Sequence, residues 1–256
     1  MKTTYTFILI ISLFCCGLNG FAQDDVEVSV ANEQTDTLKF KQRYGLRLGG
    51  DMSKLARSFI DDNYTGFEIN GDYRLTQRWY LAGELGTEER TLSTDALTIT
   101  AKGSYFKAGV DYNLYQNWLD MENMIYFGFR IGASTFSQTL DSYQVYNTNN
   151  QYWNEQVFVN NDETTDGLTA LWGEIILGIK VEVLPNLYMG LNLQLKGRIS
   201  DTEPSDYENL YIPGFNRTYD SGIVGAGYGY NISYLIPIFK KDKKILQPSE
   251  EESPSN

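Results

Sequence analysis

The sequence predicts an all-β chain that forms an eight-stranded antiparallel up-and-down transmembrane β-barrel. Three observations carry this expectation. Eight segments alternate apolar with polar residues at a period of two, and the connections between them alternate between short and long. Past the first 22 residues, no run reaches the roughly 18 apolar residues that a membrane-crossing helix requires. A chain that crosses a membrane without helices must close its sheet, because an open edge in lipid leaves peptide groups unpaired.

The ends read differently from the middle. Residues 1–22, MKTTYTFILIISLFCCGLNGFA, combine Lys2, an apolar run from Phe7 to Leu18 and small residues near Ala22, the layout of a secretory signal peptide. Residues 23–43 are mostly polar and are expected to form a periplasmic arm. Residues 44–239 hold the barrel, and the charged, Ser/Pro-rich stretch 240–256 reads as a disordered periplasmic tail. Cys15 and Cys16, the two cysteines, both lie in the leader, so an exported domain here has no disulfide to rely on.

Strand one is expected over 44–56, with Leu46, Leu48, Gly50 and Met52 on one face and Arg47, Gly49 and Asp51 on the other. Strand two, 66–75, sets Phe67, Ile69, Tyr73 and Leu75 against Glu68, Asn70, Asp72 and Arg74. Strand three, 79–87, sets Trp79, Leu81 and Leu85 against Ala82 and Glu84. Strand four, 97–114, carries Phe106, Val110, Tyr112 and Leu114 on one parity, but Leu97, Ile99 and Ala101 on the other, which predicts a β-bulge near Ser104 and Tyr105. Strands five (124–140) and six (168–183) oppose Ile125, Phe127, Phe129 and Ile175, Leu177, Ile179 to Arg130 and to Glu174, Lys180 and Glu182. In strand seven, LYMGLNLQLKGRI from Leu187 to Ile199, the leucines alternate with Asn192, Gln194, Lys196 and Arg198. Strand eight, 222–239, alternates Val224, Tyr228, Ile232 and Ile236 with Gly225, Gly227, Gly229 and Ser233, and Pro237 weakens its ladder near the end.

Short turns at LTQR, YQNWLDMEN and LPN fall on one side; FIDDNYTG, TEERTLSTDAL, 144–167 and 200–222 form long loops on the other. That one-sidedness, an even strand count and both termini at the short-turn end are the pattern of a bacterial outer-membrane barrel of a Gram-negative envelope. A soluble lipocalin-like barrel or sandwich also alternates, with its apolar face inward, and period two alone does not say which face is out. Aromatics near the short turns, among them Tyr73, Trp79, Tyr80, Tyr112, Tyr115, Trp118, Tyr188 and Tyr234, are expected to form an interfacial girdle and favour lipid.

Residues 44–86, YGLRLGGDMSKLARSFIDDNYTGFEINGDYRLTQRWYLAGELG, resemble the start of an uncharacterised family of outer-membrane β-barrel proteins from Bacteroidetes. The resemblance continues through YFKAGVDYNL and the closing YGYNISYLIPIF. It implies the location and the architecture, and no activity. Phe239 looks like the aromatic on which such barrels end, although 17 residues follow it.

The formal net charge is −12. The four long loops hold fourteen acids, Asp61, Asp62, Glu88, Glu89, Asp95, Glu155, Asp162, Glu163, Asp166, Asp201, Glu203, Asp206, Glu208 and Asp220, against Arg90 and Arg217. The whole imbalance is therefore expected on one rim. On the polar faces of the strands, seven cations (Arg47, Arg74, Lys107, Arg130, Lys180, Lys196, Arg198) face seven anions (Asp51, Glu68, Asp72, Glu84, Asp111, Glu174, Glu182). An eight-stranded barrel is only wide enough for side chains to fill, so this balance predicts ion pairing and a plugged lumen. The alternative is a narrow, porin-like channel for ions or small solutes.

No residue is nominated as catalytic, cofactor-binding or metal-ligating. Histidine is absent and no cysteine lies beyond the leader, which removes triad, dyad and histidine–zinc chemistry from the expected mature chain. No cofactor is implied, and an outer-membrane lipid-modifying enzyme is the remaining catalytic reading. Asn160–Gly167 echoes a calcium loop but reads as an acidic turn capped by Gly167, and the glycines of 222–229 fit strand curvature and room for bulky neighbours. Expected partners are outer-membrane lipid and lipopolysaccharide; the acidic rim reads either as a solvated surface that resists aggregation or as a holder of divalent cations that bridge to lipopolysaccharide phosphates. The aromatics of the two longest loops (Tyr146, Tyr152, Trp153, Phe158, Tyr207, Tyr211, Phe215, Tyr219) read either as a packed loop cap or interfacial belt, or as a surface for an extracellular protein or glycan. Nucleic acid is disfavoured by the acidic loops.

Overall fold

Alternation closes the chain on itself in a computed structural model, which describes residues 41–115, 122–145, 157–205, 207–219 and 222–242. The wall consists of β1 (Lys41–Asp51), β2 (Tyr64–Arg74), β3 (Trp79–Ser93), β4 (Leu97–Asn113), β5 (Met124–Val145), β6 (Val157–Leu184), β7 (Leu187–Asp201) and β10 (Val224–Asp242). These eight form a closed barrel in the order β1-β10-β7-β6-β5-β4-β3-β2, every described neighbour antiparallel, so the fold is the up-and-down barrel expected. Between β7 and β10 lies a two-stranded hairpin, β8 (Tyr211–Ile212) and β9 (Asn216–Arg217). The expected leader, nearly all of the arm and residues 243–256 of the tail fall outside the described residues. Residues 41–43 and 240–242 belong to the wall, because β1 and β10 pair from Lys41↔Asp242 onward.

Parity on the strands is that read from the sequence. Leu81, Phe106, Ile179 and Leu193 point out and are half exposed or more, whereas Lys107, Arg130, Glu174 and Lys196 point in and are buried. At the seam, Pro237 sits where the β1–β10 register skips a residue, and Tyr44 stacks on Phe239 with ring centroids 5.3 Å apart. The bulge places the proline, which has no N–H to give, where the ladder is already interrupted.

Five expectations need correction. Residues 52–56, expected as the end of strand one, are not strand: β1 stops at Asp51 and Met52–Ile60 form a helix, α1. Asp51 is its N-cap, with its carboxylate accepting from the Ser53 amide at 2.8 Å and the Ser53 hydroxyl at 2.6 Å, which satisfies groups that a helix start leaves open. Second, no bulge lies at Ser104 and Tyr105, since the β3–β4 register is continuous and the β4–β5 shift falls between Thr98 and Ile99. Ile99, Ala101, Tyr105, Lys107 and Asp111 are all buried on one parity. The change from polar to apolar is a change in what the lumen contains at that height.

Third, the long loops are partly wall. The segment TEERTLSTDAL is an extension of β3 and β4 closed by a tight turn in which the Thr94 amide donates to the Leu97 carbonyl at 2.8 Å, and Asn160–Gly167 is bulged strand within β6. Gly167 stands in the left-handed region at φ 75°. Fourth, Tyr80 and Tyr188 are not in an exterior girdle; both are buried, while Trp79, Tyr115 and Tyr234 are exposed. Fifth, residues 207–219 are not simply a surface loop, because Tyr211, Ile212 and Phe215 are buried. Trp118, Tyr146, Tyr152 and Trp153 lie outside the described residues.

Asp51 also accepts from the Tyr230 amide of the neighbouring strand, at 3.2 Å, so it joins α1 to β10. Asp51→Ala is expected to lower the stability of the full chain folded in detergent micelles by about 1–2 kcal/mol. Urea titration measures it, and Asp51→Asn, which retains an acceptor, is expected to lose less. An Asp51→Ala midpoint equal to that of the unaltered protein would contradict the assignment.

Candidate functional site

Inward parity collects the charged residues of seven strands, β1 to β7, into one space, and the barrel's closure removes them from water. A buried ion costs several kcal/mol unless pairing and hydrogen bonds offset it. The network divides by height. Toward the short turns, Arg47 donates to Asp72 at 2.7 Å, and Lys180 reaches the other oxygen of Asp72 at 2.6 Å. The Arg47 guanidinium also lies 5.0 Å from the ring centres of both Tyr80 and Tyr188, which is why these rings are inside.

The same end is closed by residues near the termini of the wall. Arg43 donates to Glu182 at 2.6 Å and to the Asn186 side chain at 2.9 Å, and Arg74 lies 3.8 Å from Glu122. Asn186, at φ 67°, makes the tight β6–β7 turn with Pro185, a conformation asparagine tolerates better than most residues. A cavity between Arg47, Asp72, Arg74, Tyr80, Glu122 and Tyr188 is about 10 Å³, no more than a single water needs.

At mid-height Lys107 has three carboxylates around its ammonium group, Glu84 at 2.9 Å, Glu174 at 3.5 Å and Glu68 at 3.7 Å. Arg130 lies 2.8 Å from Asp111 and 3.7 Å from Glu84. The Trp172 indole donates to Glu174 at 2.7 Å and the Tyr105 hydroxyl to Glu68 at 2.5 Å. The indole of Trp172 fits because Gly132 faces it, where a Cβ would lie 2.3 Å from a ring carbon.

Above this layer the hairpin enters the barrel. Glu88 is its anchor. One oxygen accepts from the Tyr211 hydroxyl and the Gly214 amide, both at 2.9 Å, and the other accepts from the Tyr64 hydroxyl at 3.0 Å and from Lys54 of α1. The Gly214 carbonyl accepts from Lys196 at 2.6 Å. Gly214 stands at φ 84° against the Tyr105 ring, where a Cβ would come within 2.5 Å, so both backbone and space require glycine. Around this contact Tyr105, Phe136, Leu168, Trp172, Ile212 and Phe215 form an apolar cluster, and Ile99, Ala101, Leu140 and Tyr211 form a second. Phe215 rests over Gly225, which gives the Gly-rich start of β10 the role of making room for the hairpin.

Thirteen of the fourteen charges assigned to the strands' polar faces take an ionic partner; Asp51 caps α1 instead. Arg198 pairs with Asp201, a residue expected in a loop, at 2.9 Å. Residues missed from the sequence are Arg43, Lys54, Glu88 and Glu122. Glu88 had been placed on the acidic rim, yet it lies four residues beyond Glu84 on the same parity of β3, so a longer period-two count would have found it. Outside the wall, the hydrogen bond from Arg90 holds the Asp61 carboxyl below its ordinary range.

Glu88→Gln weakens the acceptor that holds the hairpin. Hydrogen exchange on the full chain in micelles is expected to show the Gly214 amide at least about tenfold less protected, while the Leu193 amide in the wall is unchanged. Unchanged Gly214 protection would show that the hairpin is held by something else.

No curated protein sequence matches this chain. Among solved structures it is similar to Ail, the attachment invasion locus protein of Yersinia pestis, with 8% identity, a TM-score of 0.35, and coverage of 77% of this chain and 99% of that one. A family model described as "Domain of unknown function (DUF6048)" matches residues 2–241, nearly the whole sequence. The chain belongs to the DUF6048 family.

Proposed function

We propose that this chain is a bacterial outer-membrane barrel protein with a closed, charge-balanced interior. It acts without catalysis, as an envelope component and as a binding module at the end that carries α1 and the hairpin. The observation that carries this reading is the inversion of polarity across the wall. Large apolar side chains such as Leu48, Phe67, Leu81, Phe106, Phe129, Ile179, Leu193 and Ile236 surround the outside, while the inside holds buried arginines, lysines and carboxylates. An apolar belt on every wall strand exceeds the few hundred Å² that soluble monomers commonly expose. It suits a hydrocarbon surround, in which a closed sheet satisfies every backbone group. A soluble lipocalin-like barrel would need the opposite arrangement.

The interior supports a closed barrel over a narrow channel, because its cations lie against carboxylates and the hairpin occupies the long-turn end. Lipid and lipopolysaccharide are the proposed neighbours. Exposed acids at the long-turn end, including Asp62, Asp95, Asp162 and Glu203, offer oxygen ligands through which divalent cations could bridge to lipopolysaccharide phosphates.

The orientation is tested with single cysteines in a chain whose own cysteines are confined to Cys15 and Cys16. Asp95→Cys, in the β3–β4 turn, is expected to react with a membrane-impermeant maleimide on intact cells. Gln77→Cys, in the β2–β3 turn, is expected to react only after the outer membrane is permeabilised. The reverse pattern would overturn the orientation, and absence of the protein from the isolated outer-membrane fraction would overturn the location.

A further inference from the structure

The hairpin does not fill the barrel to its rim. Above Glu88, between α1, β3, β7 and the hairpin, lies a cavity of about 370 Å³, within the size range of small-ligand sites. Its sign is opposite to that of the chain. Lys54, Arg57, Arg90, Lys196 and Arg217 line it, and Glu88 is its one carboxylate among the described residues. The overall charge of −12 and the expected acidic rim give no hint of such a place.

The cations are not equally committed. Lys54 and Lys196 are neutralised from below by Glu88, Glu68 and Glu174. The three arginines differ. Arg57 and Arg90 share one carboxylate, Asp61, from which Arg57 stands at 3.6 Å. Arg217 meets no carboxylate among the described residues, and its guanidinium lies 5.4 Å from the Tyr219 ring centre. Planar guanidiniums with spare N–H groups suit carboxylate or phosphate, which they bind in a bidentate manner.

The remainder of the lining is mixed, with Leu92, Ala226 and the Tyr228 ring beside side-chain amides, which suits the hydroxyls and apolar C–H face of a sugar ring better than an acyl chain. Gln194 and Asn216 face the cavity, with their amide nitrogens donating to Asn192 at 2.8 Å and to the Ala226 carbonyl at 3.0 Å. This leaves their amide oxygens as acceptors for ligand hydroxyls. Tyr64 and Tyr211 supply ring edges at the floor, their own hydroxyls being held by Glu88.

We propose that this cavity binds an acidic saccharide, with Arg57, Arg90 and Arg217 receiving its carboxylate or phosphate, and Gln194 and Asn216 accepting from its hydroxyls. The inference deepens the binding-module reading and rests on it only for the side of the membrane to which the cavity opens. Binding to purified protein does not depend on that side, so its failure leaves the labelling result untouched, and the reverse holds too.

The test is isothermal titration of the full chain in detergent micelles with glucuronic acid, glucose 6-phosphate, glucose and inorganic phosphate. Both acidic sugars are expected to bind saturably and more weakly as salt is raised, with glucose showing no saturable heat and inorganic phosphate binding less tightly than the sugar phosphate. Arg217→Gln removes a cation that, among the described residues, holds no wall contact through a carboxylate, and is expected to weaken binding of both acidic sugars about tenfold with the strand signal in circular dichroism unchanged. Arg57→Gln is expected to act in the same direction. The proposal is overturned if neither acidic sugar binds saturably, if glucose or inorganic phosphate binds as tightly, or if both variants keep the affinity of the unaltered protein.

Discussion

Everything in this molecule follows from closing eight strands into a ring whose outside is apolar. Strand parity then has no freedom, because each residue is committed either to the exterior or to an interior just wide enough for side chains. With the leucines, isoleucines and phenylalanines outside, the polar half of each strand is buried, and burial makes pairing obligatory. Lys107 with its three carboxylates and Arg130 between Asp111 and Glu84 are the local solutions to that requirement. The glycines that face Trp172 and Phe215 are the spatial solutions, since a full set of side chains on every inward position would not fit.

The interior is graded along its axis. Near the short turns it is ionic and aromatic, with Arg47 held between Asp72 and two tyrosine rings. Further up it becomes apolar enough to take Ile212 and Phe215 of the hairpin, while one carboxylate, Glu88, fixes the hairpin's backbone and the side chain of α1. A hairpin whose Gly214 amide and Tyr211 hydroxyl share one acceptor, Glu88, while its Gly214 carbonyl takes the Lys196 ammonium, is positioned rather than merely packed. That positioning leaves Arg217 and Asn216 at the edge of a defined cavity above it.

Much of the wall was legible because period two is a strong signal wherever one face is uniformly apolar. Leu187–Ile199 and the outward stripes of β5 and β6 are the plainest cases. Reading failed where the lumen itself turns apolar: Ile99 and Ala101 carry the same parity as Lys107, so hydrophobicity alone suggested a bulge that does not exist. It failed again at Met52–Ile60, where Asp51 followed by Met, Ser, Lys, Leu, Ala and Arg is a helix start with its cap, masked by the strand alternation just before it. The hairpin was beyond reach for a different reason. Tyr211, Ile212 and Phe215 have no periodicity, and only the tertiary contacts of Gly214 with Glu88, Lys196 and Tyr105 show that they lie inside.

The proposed closed interior requires that the inward charges neutralise one another and leave no path through the barrel. Planar-bilayer recording of the purified, refolded full chain tests it most directly. The account predicts no conductance steps above those of the bare bilayer at any applied voltage the bilayer survives. Reproducible steps that disappear when Arg130 is replaced by glutamine would contradict it, by showing that ions cross through the layer that Arg130, Asp111 and Lys107 are held to close.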